Sequence, residues 1–400
     1  MKTARNVYYM EESYKVNSHS SIYLDYQSST PLDKEVFETM LPYLVKKYGN
    51  PHSSEHSIGW GAEKSVDTAK SQIALYINAL EDEIILTSGA TEANNLALIG
   101  LGYAALESST RRSILVSAIE HKCVLGASNF LRRFGFNILH IPVGQDGLIK
   151  IDNFKTMLTD EILIVSVMVT NNEIGVNEPI TEIGKLCKAN GTIFHVDASQ
   201  GAYTNLDVVE NNIDLMSISA HKIYGPMGIG CLYINQYSHI KPVPLMYGGG
   251  QQYGFRSGTV PVPLVVGFGA ACSIMQNIKE HESDKLLSLS NQLYNGLHRA
   301  CNNLHLNGSS INRHPGNLNI TLPHIESRQL ITLLQPKLAF SSGSACTSNN
   351  IEPSHVLKAI GLSTEEADRS FRLSVGRYTT TDEINTAVSL ISEVIENYSE

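Results

Sequence analysis

The sequence predicts an α/β protein: a mostly parallel sheet covered by helices on both faces, followed by a smaller α+β unit. Three observations carry this. Between residues 84 and 234, short apolar runs alternate with segments of helical period. The runs are apolar at nearly every position, as in strands buried on both faces. The alternation then stops in a Gly- and Pro-rich stretch from Pro242 to Pro263, beyond which a long helix and scattered short strands follow.

In chain order, Ile22 to Asp25 reads as a short strand. Asp33 to Tyr48 carries Val36, Phe37, Met40 and Leu44 at helical spacing, bent by Pro42. Glu63 to Ile77 repeats the pattern with Val66, Ala69, Ile73 and Ile77. Strands are then predicted at Ile84 to Leu86, Ser113 to Ser117, Ile162 to Val169, Ile193 to Val196, Leu215 to Ile218 and Gly230 to Ile234. Helices are predicted at Thr91 to Leu106, Cys123 to Phe134 and Pro179 to Ala189. The second unit starts with a helix from Leu264 to about Ala300 and has short strands around Leu304 and Leu318 to Thr321. Its last helix aligns Ile384, Val388, Ile391, Ile395 and Tyr398 on one face, and Thr380 with Glu383 offers a capping box. The expected division is a flexible extension at 1–20, a large domain at 21–263 whose first strand is a candidate to join the small domain, and a small domain at 264–400 that carries the mobile cysteine loop.

Composition narrows the function. The chain has 400 residues, 42% hydrophobic and 17% charged, with a formal net charge of -9. That is ordinary for a globular enzyme and gives no basic footprint for nucleic acid. No apolar run approaches the roughly 20 residues that span a bilayer. The first twenty residues mix Lys2, Arg5 and Lys15 with Glu11 and Glu12 and lack the apolar core of a secretory signal. The six cysteines form no C-x-x-C pair and are scattered, as expected of free thiols in a reducing compartment. The expected location is the cytoplasm, with an organelle matrix as the alternative. Five cysteines sit among apolar or helical neighbours and are expected to be buried; Cys346 does not.

Chemistry concentrates where the strands end, the side on which open α/β sheets bind ligands. The strand Leu215 to Ile218 runs into Ser219-Ala-His-Lys222, and Tyr-Gly-Pro follows at once, so Lys222 sits at a strand end. Such a lysine is either a solvated loop residue or, if desolvated, a nucleophile able to form a Schiff base. Ser88-Gly-Ala90-Thr91-Glu92 links a strand to a helix and exposes backbone N–H groups to an anion such as phosphate; Thr91 also suits a plain helix cap. Asp197 closes an apolar strand and needs a cationic partner. A protonated pyridine nitrogen would serve, with Ser219 and His221 completing a phosphate cup.

The ordered motifs are specific. Tyr-Leu-Asp-Tyr stands at Tyr23, Gly-Asn-Pro at Gly49, Thr-Ser-Gly-Ala-Thr-Glu at Thr87, Glu-His-Lys at Glu120 and Asn-Asn-Glu-Ile-Gly at Asn171. His-Val-Asp-Ala follows at His195, Ser-x-x-His-Lys-x-Tyr-Gly-Pro at Ser219, Arg-Ser-Gly-Thr at Arg256 and Ser-Ser-Gly-Ser-Ala-Cys at Ser341. From about Ile22 to about Val394 the chain resembles the cysteine desulfurases of the IscS/NifS type, members of the fold-type I pyridoxal phosphate enzymes related to class V aminotransferases. The resemblance implies a mostly parallel seven-stranded sheet in the large domain and a homodimer. It implies that Lys222 holds pyridoxal 5'-phosphate and moves the substrate Cα proton, that His121 stacks on the ring, that Asp197 pairs with the ring nitrogen and that Gln200 reaches the ring oxygen. Ala90, Thr91, Ser219 and His221 would surround the phosphate, with Thr259 arriving from the other subunit. Arg372 would clamp the substrate carboxylate beside Asn172, a task that suits a guanidinium fork.

Cys346 lies in Ser341-Ser-Gly-Ser-Ala-Cys-Thr-Ser-Asn-Asn350, whose only apolar neighbour is Ala345. Such a segment is expected to be exposed and mobile, and the resemblance makes its thiol the acceptor of the substrate sulfur as a persulfide. The implied activity is conversion of L-cysteine to L-alanine, with sulfur passed to an acceptor protein for iron-sulfur cluster assembly or tRNA thiolation. A selenocysteine lyase or another fold-type I enzyme is the nearest alternative, and a catalytically silent platform the more distant one.

Some positions depart from the family pattern. Ala220 replaces a glycine, Met227 a lysine, Gln251-Gln-Tyr-Gly-Phe255 a segment usually carrying Glu and Arg, and Glu366-Ala-Asp-Arg369 a Leu-Ala-His-Ser. The sequence ends at Glu400, short of the C-terminal extension with which IscS-type enzymes meet their scaffold, so an IscU-like scaffold and a tRNA-thiolation carrier both stay open as acceptors. His52-Ser-Ser-Glu55-His56 matches a zinc-protease pattern, but it follows Gly-Asn-Pro in an expected loop and has no third ligand. Gly248-Gly-Gly250 lacks the lysine and helix of a phosphate loop.

Overall fold

The computed structural model describes residues 21–342 and 353–398. Its largest sheet has seven strands. In spatial order they are Ile84–Thr87, Gly230–Ile234, Leu215–Ser219, Ile193–Asp197, Ile162–Met168, Ser113–Ser117 and Asn137–Ile141. Gly230–Ile234 runs against both neighbours; the other pairings are parallel. The runs are apolar throughout because both faces are covered: alternate residues of one strand enter opposite cores. Val165 and Val167 join one core and Ile164 the other; Leu163 also enters the second core, beside a register irregularity in the pairing with Ser113–Ser117. The first core lies under helices Lys34–Val45, Ser57–Tyr76 and Ile180–Asn190. The second lies under Lys122–Leu131 and the helical run from Ala90 to Ser108, which contains a π-helical stretch at Leu96–Gly100.

Three elements of this layer exceed the sequence expectation; one is the short helix Ile151–Met157, which buries Phe154 in the first core. Asn137–Ile141 is an edge strand exposed at Asn137 and His140, so it lacks the apolar run that marks its neighbours. The helix expected from Glu63 starts at Ser57, capped by His56, whose Nδ1 accepts the Gly59 N–H at 3.1 Å. Two glycines in that first turn hide its period. The cap also gives His56 a structural task. Among the described residues no group of three or more metal-ligating side chains converges.

Helix Val262–Ala300 joins two cores. Val265, Phe268, Cys272 and Met275 belong to the first, whereas Leu286, Leu289, Leu293 and Leu297 enter another built on a four-stranded antiparallel sheet. The order in that sheet is Ser341–Ser342, Ser370–Ser374, Asn317–Thr321, His305–Leu306. Helix Thr381–Asn397 closes it with Ile384, Ile391 and Ile395, and starts with the expected capping box between Thr380 and Glu383. The first strand, Ile22–Tyr23, pairs with Leu338–Ala339, and Asp25 bridges to Ser374. The chain beyond Asp25 then crosses back to the strand ends of the large sheet.

Candidate active site

At the carboxyl ends of the parallel strands lies a cavity of about 570 Å³. Strands ending at Thr87, Ser117, Met168, Asp197 and Ser219 each hand over to a segment that lines it. A sheet buried on both faces is a rigid platform, so these turns are held in fixed relation. The cavity gathers Ala90, Thr91, His121, Asn172, Asp197, Gln200, Ser219, His221, Lys222 and Arg372, all anticipated from the sequence. Thr259 is exposed and does not line it, and Cys346 lies outside the described residues.

Lys222 ends a single 3₁₀ turn, Ala220–Lys222, directly after its strand. Ala220 and Ile223 are buried and fix the turn from below. The amine donates to the carbonyls of Gln27 at 2.6 Å and Ser28 at 2.7 Å. Thr30 Oγ1 donates to the His221 carbonyl at 2.9 Å, so the strap from Asp25 to Thr30 is stitched to the lysine turn. Gln200 also donates to the Gln27 carbonyl, at 2.8 Å.

Asp197 is 3% exposed. Its Oδ2 accepts from Asn94 Nδ2 at 2.7 Å, and its Oδ1 accepts from the backbone N–H of Ser199 at 2.9 Å and the Ser199 hydroxyl at 2.5 Å. These are neutral donors, and none of the ion pairs among the described residues includes Asp197. A buried carboxylate without a cation is costly, so the site fits a ligand that carries a protonated ring nitrogen.

The turn before the helix at Ala90 has Gly89 at φ +145°, a conformation that L side chains rarely adopt. A Cβ on Gly230 would stand 2.8 Å from the Gly89 Cα and collide with the Ile218 carbonyl. Both glycines thus let two backbones meet beneath the anion cradle formed by the helix start, Thr91, Ser219 and His221. His221 Nδ1 lies 3.2 Å from the Ser29 hydroxyl, and burial followed by the Lys222 charge lowers its pKa to about 4. Glu92 accepts from Arg256 at 2.8 Å and ties the cradle to the segment that carries Thr259.

His121 caps helix Lys122–Leu131: its Nδ1 accepts the Cys123 N–H at 3.2 Å. Burial lowers its pKa; Asp197 opposes this, and Lys222 and Lys122 add to it. A neutral ring suits stacking on a heterocycle. On the opposite side, Arg372 donates through Nη1 to the Asn172 carbonyl at 2.5 Å and through Nη2 to Asp25 at 2.6 Å and Ser341 at 3.3 Å. Its Nε is buried and has no partner among the described residues.

Several participants were not read from the sequence: Asp25, Gln27, Asn94, Cys123 and Ser354. Asp25 stands inside the Tyr-Leu-Asp-Tyr motif, which was its available signal. Ser354 Oγ donates to Glu173 at 2.5 Å, and burial raises the Glu173 carboxyl to about 7. The cysteine expectation needs correction: Cys187, Cys231 and Cys272 are buried, but Cys123 and Cys301 are only partly so, and Cys123 lines the cavity. Helix Lys122–Leu131 starts at the cavity wall, so its first turn faces open space rather than core.

A fold of this topology, with a strand-end lysine, a buried carboxylate and an anion cradle lining one cavity, defines a pyridoxal phosphate enzyme. The aminotransferase class-V family matches residues 22–386. Cysteine desulfurase IscS of Rickettsia akari is 46% identical over 376 residues, covering 94% of this chain and 91% of the relative. That of Rickettsia felis is 45% identical, covering 96% and 93%. A solved NifS-like protein superposes with a TM-score of 0.87 at 29% identity, covering 94% of this chain and all of its own. The structure of SspA in complex with cysteine gives 0.78 at 34% identity, covering 90% of this chain and 100% of that one. The chain belongs to the aminotransferase class-V family and, within it, to the cysteine desulfurases of the IscS/NifS type. Its cofactor is pyridoxal 5'-phosphate.

Proposed function

We propose that the chain converts L-cysteine to L-alanine and receives the substrate sulfur as a persulfide on Cys346. One observation carries this reading: Lys222, Arg372 and both described flanks of the Cys346 segment, Ser342 and Pro353, line a single cavity. Cys346 itself lies outside the described residues, four positions after Ser342 in the sequence.

Asp197 would hold the ring nitrogen, His121 the ring face, Gln200 the ring oxygen, and Ala90, Thr91, Ser219 and His221 the phosphate. Pyridoxal phosphate, when bound, supplies an electron sink for the pair left at the substrate Cα. Arg372, aimed by Asp25 and the Asn172 carbonyl, binds the substrate carboxylate. The Lys222 amine takes the Cα proton and keeps it close by. The Cys346 thiolate attacks the substrate sulfur: the S–S bond forms, the Cβ–S bond breaks, and the released carbon is protonated to alanine. Thiolate fraction sets the attack rate, so turnover falls at acid pH.

Thr259 completes the phosphate site from the second subunit of a homodimer. Its exposure, and the Arg256–Glu92 link beside it, support this. The persulfide passes in the cytoplasm to an acceptor protein, an IscU-like scaffold or a tRNA-thiolation carrier.

Alanine release from cysteine tests the reading. Lys222→Ala should lose both the visible absorption of the bound cofactor and all alanine formation. Cys346→Ala should keep the absorption and lose sulfur transfer. A Lys222→Ala protein that still desulfurates would overturn it.

A further inference from the structure

A thiol with no part in the scheme above stands on the cavity wall. Cys123 Sγ lies 2.9 Å from His121 Nδ1 and 3.2 Å from Asn94 Nδ2. The same Asn94 nitrogen donates to Asp197 at 2.7 Å. Asn94 is fully buried, and turning its amide over would set its carbonyl against the Asp197 carboxylate. The amide orientation is therefore fixed, and its second hydrogen points at Sγ. The sulfur accepts that hydrogen, which leaves its own S–H to donate. Thr91 also lies within reach of the thiol, but the acceptor in close contact, at 2.9 Å, is His121 Nδ1, which the backbone N–H of Cys123 already marks as the unprotonated nitrogen. Burial and the nearby Asp197 charge push the Cys123 thiol up to about 12, so it keeps its proton.

We infer that Cys123 is a positioning residue: its thiol links Asn94 to His121, so the amide oriented by Asp197 also holds the imidazole as its Nε2–H tautomer. One contact set thereby joins the group for the ring nitrogen to the group for the ring face. The inference rests on His121 lying against the bound cofactor. The charged groups facing His121 are Asp197 from its strand, Lys222 from the 3₁₀ turn and Lys122 from its own helix. His355, from helix His355–Ala359, stands near as well.

A donor to Nδ1 stabilises the neutral ring, so removing it raises the imidazole pKa. The full-length, cofactor-loaded protein with isotope-labelled histidine is titrated by nuclear magnetic resonance, and the signal missing from His121→Gln identifies His121. The wild type should show a neutral Nε2–H ring through neutral pH. Cys123→Ala should raise the His121 pKa by about one unit, the size of one neutral hydrogen bond, while the backbone N–H of residue 123 still holds the Nε2–H tautomer. Cys123→Ser, which keeps a donor, should stay close to wild type. If the alanine variant does not fold, Cys123→Val, of similar shape and without a donor, takes its place. A donor-free variant that titrates like wild type, or a serine variant that titrates like the donor-free one, would overturn the inference. The readout is a ring nitrogen, so absence of desulfurase turnover in the wild type would remove the functional reading and leave this result interpretable.

Discussion

Arg372 and Asp25 meet at 2.6 Å although they come from opposite ends of the chain. The contact is possible because the strap after strand Ile22–Tyr23 runs beside strand Ser370–Ser374, with Asp25 bridged to Ser374. A carboxylate and a carbonyl thus aim the guanidinium before any substrate arrives.

Removing that aim should weaken substrate binding more than it disturbs folding. Asp25→Asn is predicted to raise KM for cysteine about tenfold, the worth of one charge-assisted hydrogen bond. Arg372→Lys should lose more, because an ammonium cannot present a planar fork. Steady-state kinetics with thermal melting checks this. A KM unchanged in both variants contradicts the clamp.

The meeting of Gly89 and Gly230 makes a second prediction. In Gly230→Ala the added carbon meets backbone on both sides, which cannot give way as a side chain would. The Gly89 turn must shift, so cofactor affinity should fall about tenfold and melting temperature should drop. Equilibrium titration with pyridoxal phosphate reads the first effect, and calorimetry the second.

Glu178 gives a test by pH. Its carboxyl is buried, one oxygen accepts from the Ile149 N–H at 2.9 Å and the other has no partner among the described residues. Burial raises its pKa from 4.5 to about 8. Between these values the folded chain binds a proton that the unfolded chain has released, so this stability is present at low pH and is lost as pH rises through about 8. Glu178→Gln carries no such proton. Its melting temperature should therefore fall less than that of wild type between pH 6 and pH 9, two points chosen roughly either side of the raised pKa. Parallel curves would place the titration elsewhere.

Residue patterns made the central sheet legible because burial on both faces leaves little room for polar letters: Ile162–Met168 and Leu215–Ser219 could hardly be anything else. The strand that carries Arg372 escaped notice for the opposite reason. Its Ser370, Arg372 and Ser374 are buried but bonded to distant partners, Asp25 and the Gln27 N–H among them, and those partners leave no local trace. Lys222, Asp197 and His121 were legible because each follows an apolar strand and so falls at the binding edge. Asn94 and Cys123 were not, because each reads locally as an ordinary helix residue and only the meeting of two helices gives it a role. The segment holding Cys346, expected to be mobile, lies outside the described residues.

The account depends most on where the sulfur goes. Mass spectrometry of the cofactor-loaded protein after cysteine treatment, with alkylation and peptide mapping, should find one added sulfur on Cys346, removable by an acceptor protein and absent in Cys346→Ala. Alanine produced in full with the added sulfur on Cys123 or another thiol, and none on Cys346, would contradict it.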